Sequence, residues 1–202
     1  MKKLVRTTLF FWANSVFYLM GKKLTIVGFD NISKNGKYIL VANHSSLFDI
    51  MAIMSFYPDV SWFGHERLLK VPVFKTVLKM INYVPMKAAN FSNTKEMIDR
   101  LISKSQRQTI AIFPEGTRTL DGNVNDFFRG FIKVMRESEI NILPVTLNGF
   151  FKFKPKNRFH INFNSKLNII IHPPINKSEL LHKSDNEIIT IVKTIIESSL
   201  NT

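Results

Sequence analysis

From residue 37 onward, short apolar runs alternate with longer stretches in which apolar residues recur every three or four positions. The short runs predict strands and the longer stretches predict helices. Strands are expected at 38–42, 60–63, 109–113, 142–147, 159–163 and 167–171. Helices are expected at 50–56, 66–80 with a break at Pro72, 94–104, 127–138, and 185–200 behind a Ser184 cap. This order predicts an α/β fold, in which a single domain has a mostly mixed β-sheet flanked by helices.

Residues 1–30 have a different pattern, because an uncharged apolar run lies between cationic residues. The run covers 7–20, and the cations are Lys2, Lys3, Arg6, Lys22 and Lys23. As a helix the run would be about 21 Å long, short of the roughly 30 Å hydrocarbon core of a bilayer. We therefore expect an amphipathic membrane-binding helix at the interface, although a helix buried in the domain would have a similar pattern. Its membrane-facing residues would be Leu9, Phe10, Trp12, Phe17 and Leu19.

Composition narrows the class of partner. The chain has 28 Lys and Arg against 15 Asp and Glu, a formal charge of +13, which favours an anionic partner. Eighteen Phe residues favour a lipid surface over nucleic acid, and we find no nucleic-acid-binding signature in the sequence. The chain has no cysteine, which excludes disulfides, thiolate metal sites and a cysteine acyl-enzyme.

The first candidate motif is NHSSLFD at 43–49, directly after the predicted strand 38–42. On one continuous helix His44 and Asp49 would point about 140° apart, so only a bent segment can bring them together. If Ser45 or Ser46 caps a helix that begins just after it, Asp49 lies in the first turn and can reach His44. Asp49 would then fix one ring nitrogen, and the other would take a proton from a substrate hydroxyl.

The second candidate motif is FPEGTRT at 113–119, which follows another buried strand. Gly116 permits a tight turn, and the planar guanidinium of Arg118 suits bidentate binding of a phosphate. Glu115 would orient Arg118 or a substrate hydroxyl. The alternative is an ordinary surface turn in which Glu115 and Arg118 form an ion pair.

Together, in this order and at this separation, the two motifs resemble the first and third blocks of the glycerolipid acyltransferase family, which includes the 1-acylglycerol-3-phosphate acyltransferases. The resemblance covers residues from about 37 to about 174, including DFFRG at 126–130 and ILPVTLNG at 142–149. It implies that an acyl-CoA or acyl-carrier-protein thioester donates its acyl group to the free hydroxyl of a lysophospholipid. With 1-acylglycerol 3-phosphate as acceptor, the product is phosphatidic acid. The resemblance implies no metal and no organic cofactor.

The same resemblance assigns roles to individual residues. It makes His44 the general base and Asp49 its partner. The acceptor-phosphate site would comprise Glu115, Gly116, Thr117 and Arg118, and Pro144 would shape the acyl or catalytic pocket. We accordingly expect a membrane-binding segment at 1–30 and an acyltransferase domain at 31–202. The expected location is peripheral or monotopic, on the cytoplasmic face of the cell membrane and against its anionic surface.

The second block of the family is where this sequence departs from the pattern. Ala88 stands where an arginine is expected. Lys87 is a candidate for the missing charge, although an ammonium does not reproduce the guanidinium fork, and Arg129 is another. The acceptor could therefore be a lysolipid with a different headgroup or an aminolipid.

Two further alternatives remain open on sequence alone. A catalytically silent lipid-binding protein could have the same fold. A serine hydrolase would use Ser45 or Ser46 as its nucleophile, but the sequence has no G-x-S-x-G elbow.

Overall fold

The computed structural model describes residues 2–65, 78, 83–86 and 91–200. Within these residues, seven strands form one sheet in the order β1-β7-β6-β2-β5-β3-β4. Neighbouring strands are parallel except β6 and β7, which are antiparallel, so the sheet is mixed as predicted. The strands are β1 Leu24–Val27, β2 Tyr38–Ala42, β3 Val60–His65, β4 Val84–Met86, β5 Thr109–Ile112, β6 Asn141–Asn148 and β7 Leu167–Ile171.

Helices cover both faces of the sheet, which confirms the α/β class. Central strand β2 is buried at every residue: Leu40 and Ala42 pack in the core on one face, Ile39 and Val41 in the core on the other. A parallel strand with helices on both faces is expected to be apolar throughout, as YILVA is. The helices are α1 Lys2–Leu19, α2 Asp49–Met54, α3 Phe91–Ser105, α4 Gly130–Glu137, α5 Phe150–Phe153, α6 Lys177–Leu180 and α7 Asp185–Glu197, with a 3₁₀ turn at Phe29–Asn31.

The predicted strand at 159–163 is wrong. Within the described residues no strand pairs with this segment, which connects β6 to β7 while those two strands pair directly with each other. The amide of Asn162 instead donates to the carbonyl of Phe153, and the side chains of Phe159 and Phe163 are exposed. Strands β1 and β4 were not predicted, because they have only four and three residues and β4 contains a proline.

Local hydrogen bonds explain where the later helices begin. The predicted helix 127–138 begins only at Gly130, because the amides of Asn125 and Phe128 donate to Glu115 and Pro114. The Ser184 cap of α7 is confirmed: its hydroxyl accepts the amide of Glu187 at 3.3 Å, within a capping box. The predicted helix 66–80 lies almost wholly outside the described residues.

Helix α1 has two apolar faces. Leu9, Ala13 and Phe17 recur every four residues and pack into the core, so the expectation that Leu9 and Phe17 meet a membrane is wrong. The opposite face exposes Leu4, Phe11, Tyr18 and Leu19. None of the described helices is long and apolar enough to cross a membrane. Strand β1, which falls within the expected membrane-binding segment 1–30, pairs with β7 in the sheet.

Candidate active site

His44 and Asp49 meet at the carboxyl end of β2. His44 lies two residues beyond the strand, and Asp49 is the first residue of α2. Nδ1 of His44 lies 2.8 Å from Oδ2 of Asp49, so the predicted contact is observed. Asp49 is fully buried, whereas the His44 side chain is 18% exposed. The imidazole therefore has one nitrogen on a buried carboxylate and reaches the surface at the edge where α/β folds place their sites.

Backbone amides hold Asp49 in place. Its Oδ2 also accepts hydrogen bonds from the backbone amides of Ser45, at 2.6 Å, and Ser46, at 2.7 Å. The predicted serine cap is wrong, because neither hydroxyl caps α2 and the bonds run from serine amides to the aspartate. Both serines are buried, and the hydroxyl of Ser46 donates to the carbonyl of Lys154. This burial disfavours either serine as a hydrolase nucleophile.

Glu115 joins the two motifs through their backbones. One carboxylate oxygen accepts the amide of His44 at 2.6 Å, and the other accepts the amide of Asn125 at 2.9 Å. The amide of Thr119 donates to the carbonyl of His44 at 2.9 Å. Burial raises the pKa of Glu115 to about 7, with the two amide hydrogen bonds opposing the shift. Glu115 therefore supports the backbone around the histidine, and its place in the acceptor-phosphate site stays a prediction.

An aromatic stack holds the imidazole from one side. The ring of Phe113 lies 4.1 Å from the ring of His44, with an interplanar angle of 11°. Trp62 stacks behind Phe113 at 5.5 Å. Asp49 fixes the ring at one edge and Phe113 covers one face, so the orientation of the imidazole is constrained in two directions. The sequence did not predict this role, although Phe113 is the first residue of the motif FPEGTRT.

Arg118 places an uncompensated positive charge beside this pair. It is half-buried, and among the described residues its guanidinium makes no hydrogen bond or ion pair. Burial lowers the pKa of Arg118, and the carboxylate of Asp49 opposes that shift, so the two charges interact. An arginine stays protonated under these conditions. Its guanidinium can therefore receive an anionic group from a substrate.

The turn that carries Arg118 needs glycine. Gly116 has a φ of 67°, and a Cβ there would lie 2.9 Å from the ring of Phe128. Thr117 is exposed next to it, and its hydroxyl accepts the ammonium of Lys156 at 3.3 Å. A second cation, Lys156, therefore lies at the same end of the sheet.

The remaining predicted site residues have no observed contact with His44 or Asp49 among the described residues. Arg129 donates to the side chain of Asn186 in α7, and its role stays a prediction. Pro144 lies inside β6, in register with Val41, and its pocket role stays a prediction. Lys87 lies outside the described residues. No group of three or more metal-binding side chains occurs in the described part of the chain.

Asn43 is a further residue whose role sequence reasoning missed. Its amide nitrogen donates to the carbonyl of Leu147 at 3.0 Å, and its oxygen accepts the amide of Leu147 at 2.8 Å. These two hydrogen bonds continue the pairing of β2 with β6 one residue beyond the end of β2, through the side chain of Asn43. It fixes the chain immediately before His44, which explains an asparagine at that point of the motif.

Comparison with known proteins agrees with this geometry. Residues 23–148 match the family described as Acyltransferase. The chain belongs to the acyltransferase family. The match contains both motifs, and therefore His44, Asp49 and Arg118.

Individual relatives of this acyltransferase-family chain extend the comparison. It is 29% identical over 189 residues to the 1-acyl-sn-glycerol-3-phosphate acyltransferase of Borreliella burgdorferi, covering 92% of this chain and 74% of that protein. It is 26% identical over 170 residues to a chloroplastic 1-acyl-sn-glycerol-3-phosphate acyltransferase of Arabidopsis thaliana, covering 83% of this chain. The chain spans about half the length of the chloroplast relatives, 48% and 50%.

A solved structure supports the fold. The crystal structure of the 1-acyl-sn-glycerophosphate acyltransferase of Thermotoga maritima superposes with a TM-score of 0.81 at 25% identity. The superposition covers 98% of this chain and 79% of that one. It therefore includes the sheet, the helices on both faces and α1.

Proposed function

We propose that this protein transfers a fatty acyl group from an acyl-CoA or acyl-carrier-protein thioester to the free hydroxyl of 1-acylglycerol 3-phosphate, giving phosphatidic acid. The observation that carries the proposal is the contact between His44 and the buried Asp49, with Arg118 next to Thr119, whose amide donates to the carbonyl of His44. Relatives named as 1-acyl-sn-glycerol-3-phosphate acyltransferases support the choice of acceptor.

In the proposed reaction His44 is the general base. Asp49 accepts the hydrogen on Nδ1, which leaves Nε2 to remove the proton of the acceptor hydroxyl. The hydroxyl oxygen forms the new ester bond at the thioester carbonyl, and the carbon–sulfur bond breaks. The departing sulfur then takes this proton from Nε2 and leaves as a thiol. Asp49 stabilises the imidazolium between these two steps.

The acceptor phosphate would bind Arg118. A guanidinium that is partly withdrawn from water and has no partner among the described residues gains two charge-assisted hydrogen bonds when a phosphate arrives. Because the amide of Thr119, the residue after Arg118, donates to the carbonyl of His44, a phosphate bound to Arg118 would lie near the histidine. The acceptor hydroxyl, a few bonds from its phosphate, would then be within reach of Nε2.

We propose that the outward face of α1 holds the protein on the membrane that supplies its lipid substrate. Leu4 is 72% exposed, Phe11 64% and Tyr18 82%, and they follow one another at intervals of seven residues along one face. An apolar stripe of this kind is typical of a contact surface. Location at the cytoplasmic face is part of this proposal, because acyl-CoA and acyl-carrier protein are the donors.

A direct assay tests the proposed activity. The purified protein is incubated with acyl-CoA or acyl-carrier protein and a panel of lysophospholipids and aminolipids, and acylated products are identified by mass spectrometry. We expect phosphatidic acid from 1-acylglycerol 3-phosphate, and loss of at least about a hundredfold in kcat for His44→Ala. Asp49→Asn should also lower kcat, because an asparagine cannot stabilise the imidazolium.

His182→Ala is the matched control, since His182 is exposed at the other end of the sheet. If a different acceptor is acylated and His44→Ala abolishes the reaction, the mechanism stands with a changed substrate. If no acceptor is acylated with either donor, the chain is a lipid-binding protein of the same fold and the proposal fails.

A further inference from the structure

We propose that the basic–aromatic loop, residues 152–165, is a second membrane-contact surface that inserts Phe159 into an anionic bilayer at the mouth of the active site. Phe159 is fully exposed and Phe163 is 58% exposed. A fully exposed phenylalanine leaves its whole ring in water, which costs about 25 cal/mol for every Å² of apolar surface. The described residues provide no packing partner that would explain it.

The loop presents Phe159 from a firm base. The guanidinium of Arg158 donates to the carbonyls of Lys152 and Phe153 and, through Nε, to that of His160. The amide of Asn162 donates to the carbonyl of Phe153 at 2.9 Å. These bonds tie both sides of the loop together directly beside Phe159. The exposed ring of Phe159 is therefore carried by a loop whose backbone is held in place by hydrogen bonds.

Charge identifies the partner as anionic lipid. The sequence has no Asp or Glu from 140 to 178, and the loop and its flank carry exposed Lys152, Lys156 and Lys166. An aromatic tip surrounded by lysines matches the two layers of a membrane surface: the ring enters the apolar boundary and the ammonium groups meet headgroup phosphates. An apolar tip that docked on a neutral protein surface would gain nothing from these charges.

The loop also lies between α1 and both active-site motifs. The ammonium of Lys22, just after α1, donates to the carbonyls of Phe163 and Ser165. The hydroxyl of Ser46 donates to the carbonyl of Lys154. The ammonium of Lys156 reaches the hydroxyl of Thr117. A bilayer that contacts both the outward face of α1 and the loop would therefore lie at the edge that holds His44.

Site-specific labelling tests the insertion, because the chain has no cysteine of its own. A Phe159→Cys variant carrying an environment-sensitive nitrobenzoxadiazole label is mixed with vesicles of phosphatidylcholine and phosphatidylglycerol. We expect brighter, blue-shifted emission, and quenching by lipids with a spin label on the acyl chain. Neither acyl donor nor acceptor is added, so the result does not depend on the proposed reaction.

The control label is placed at Leu181→Cys. Leu181 is also an exposed apolar residue, but its carbonyl contacts Arg136 at the end of α4, before β6 begins, so it lies at the opposite edge of the sheet. Its emission should not change. If the label at 159 stays in an aqueous environment while the protein sediments with vesicles, or if the protein does not bind them, the proposal is wrong. It is equally wrong if the label responds to acyl-carrier protein and not to vesicles.

Unlabelled variants provide a second measurement by vesicle co-sedimentation. Phe159→Ser should weaken binding about tenfold, since the transfer of one aromatic ring is lost. Lys152→Gln should weaken it about fivefold on anionic vesicles only, with no change on pure phosphatidylcholine. Leu181→Ser is the matched control, because Leu181 is exposed but lies at the opposite end of the sheet. Equal weakening by the control would contradict a role specific to the loop.

Discussion

The backbone amide of His44 donates a 2.6 Å hydrogen bond to the buried carboxylate of Glu115. The same carboxylate accepts the amide of Asn125, so one side chain connects three segments of the chain. The residue that bears the proposed base is thus fixed through its backbone by the second motif, and through its ring by Asp49 in the first. The two motifs have to occur together because each supplies half of the support for one histidine.

Removal of the Glu115 carboxylate should destabilise the fold. Glu115→Ala leaves two buried amides without an acceptor, at a cost of roughly 2–4 kcal/mol in the free energy of unfolding. Glu115→Gln keeps one acceptor and should cost less. Denaturant unfolding measures both, with Glu137→Gln at an exposed position of α4 as the control. Equal stability of Glu115→Ala and the wild type would show that the carboxylate does not hold these amides.

Glu115 should also make stability depend on pH. Its pKa is raised from 4.5 to about 7 in the folded protein, so between these values the folded state holds a proton that the unfolded state has lost. Stability should therefore fall as the pH rises from about 4.5 to 7 and become level above it, with a change on the order of 3 kcal/mol.

The measurement is the difference in unfolding free energy between the wild type and Glu115→Gln across this pH range. The variant has no carboxyl to titrate at 115, so the difference isolates one group. A difference that is constant with pH would mean that Glu115 titrates at its ordinary pKa.

The stack of Phe113 on His44 should affect turnover more than substrate binding. Phe113→Leu keeps an apolar side chain but removes the aromatic face, worth about 0.5–1.5 kcal/mol, which corresponds to a roughly twofold to tenfold loss of kcat. KM should change little, and Phe113→Tyr should restore kcat. If Phe113→Tyr is as slow as Phe113→Leu, the ring serves only to fill space.

Part of this architecture could be predicted because its physical cause is local in sequence. The runs 38–42 and 110–112 are buried on both faces of the sheet, so their residues had to be apolar, and the Ser184 cap lies three residues from the amide it binds. Asp49 could be paired with His44 because only five residues separate them.

Other features depend on contacts between distant segments. The roles of Glu115 and Asn43 come from amides 71 and 104 residues away, which no local pattern reveals. The aromatic alternation at 159–163 matched a strand, but the segment connects β6 to β7, and these two strands pair directly with each other. Likewise, the pattern of α1 showed that the helix was apolar and could not show which of its two faces meets the core.

The proposed acceptor site depends on the guanidinium of Arg118. Arg118→Ala should raise KM for 1-acylglycerol 3-phosphate by about tenfold or more, because a hydrogen bond to a charged group contributes about 1.5–3 kcal/mol. Arg118→Lys should restore only part of the lost affinity for the acceptor, since an ammonium lacks the planar fork of the guanidinium. Acylation of a monoacylglycerol, which has no phosphate, should be unaffected. Arg107→Ala is the matched control, because Arg107 is exposed just before β5 begins, at the end of the sheet opposite the site. Equal losses with both acceptors would mean that Arg118 maintains the fold of its turn rather than binding phosphate.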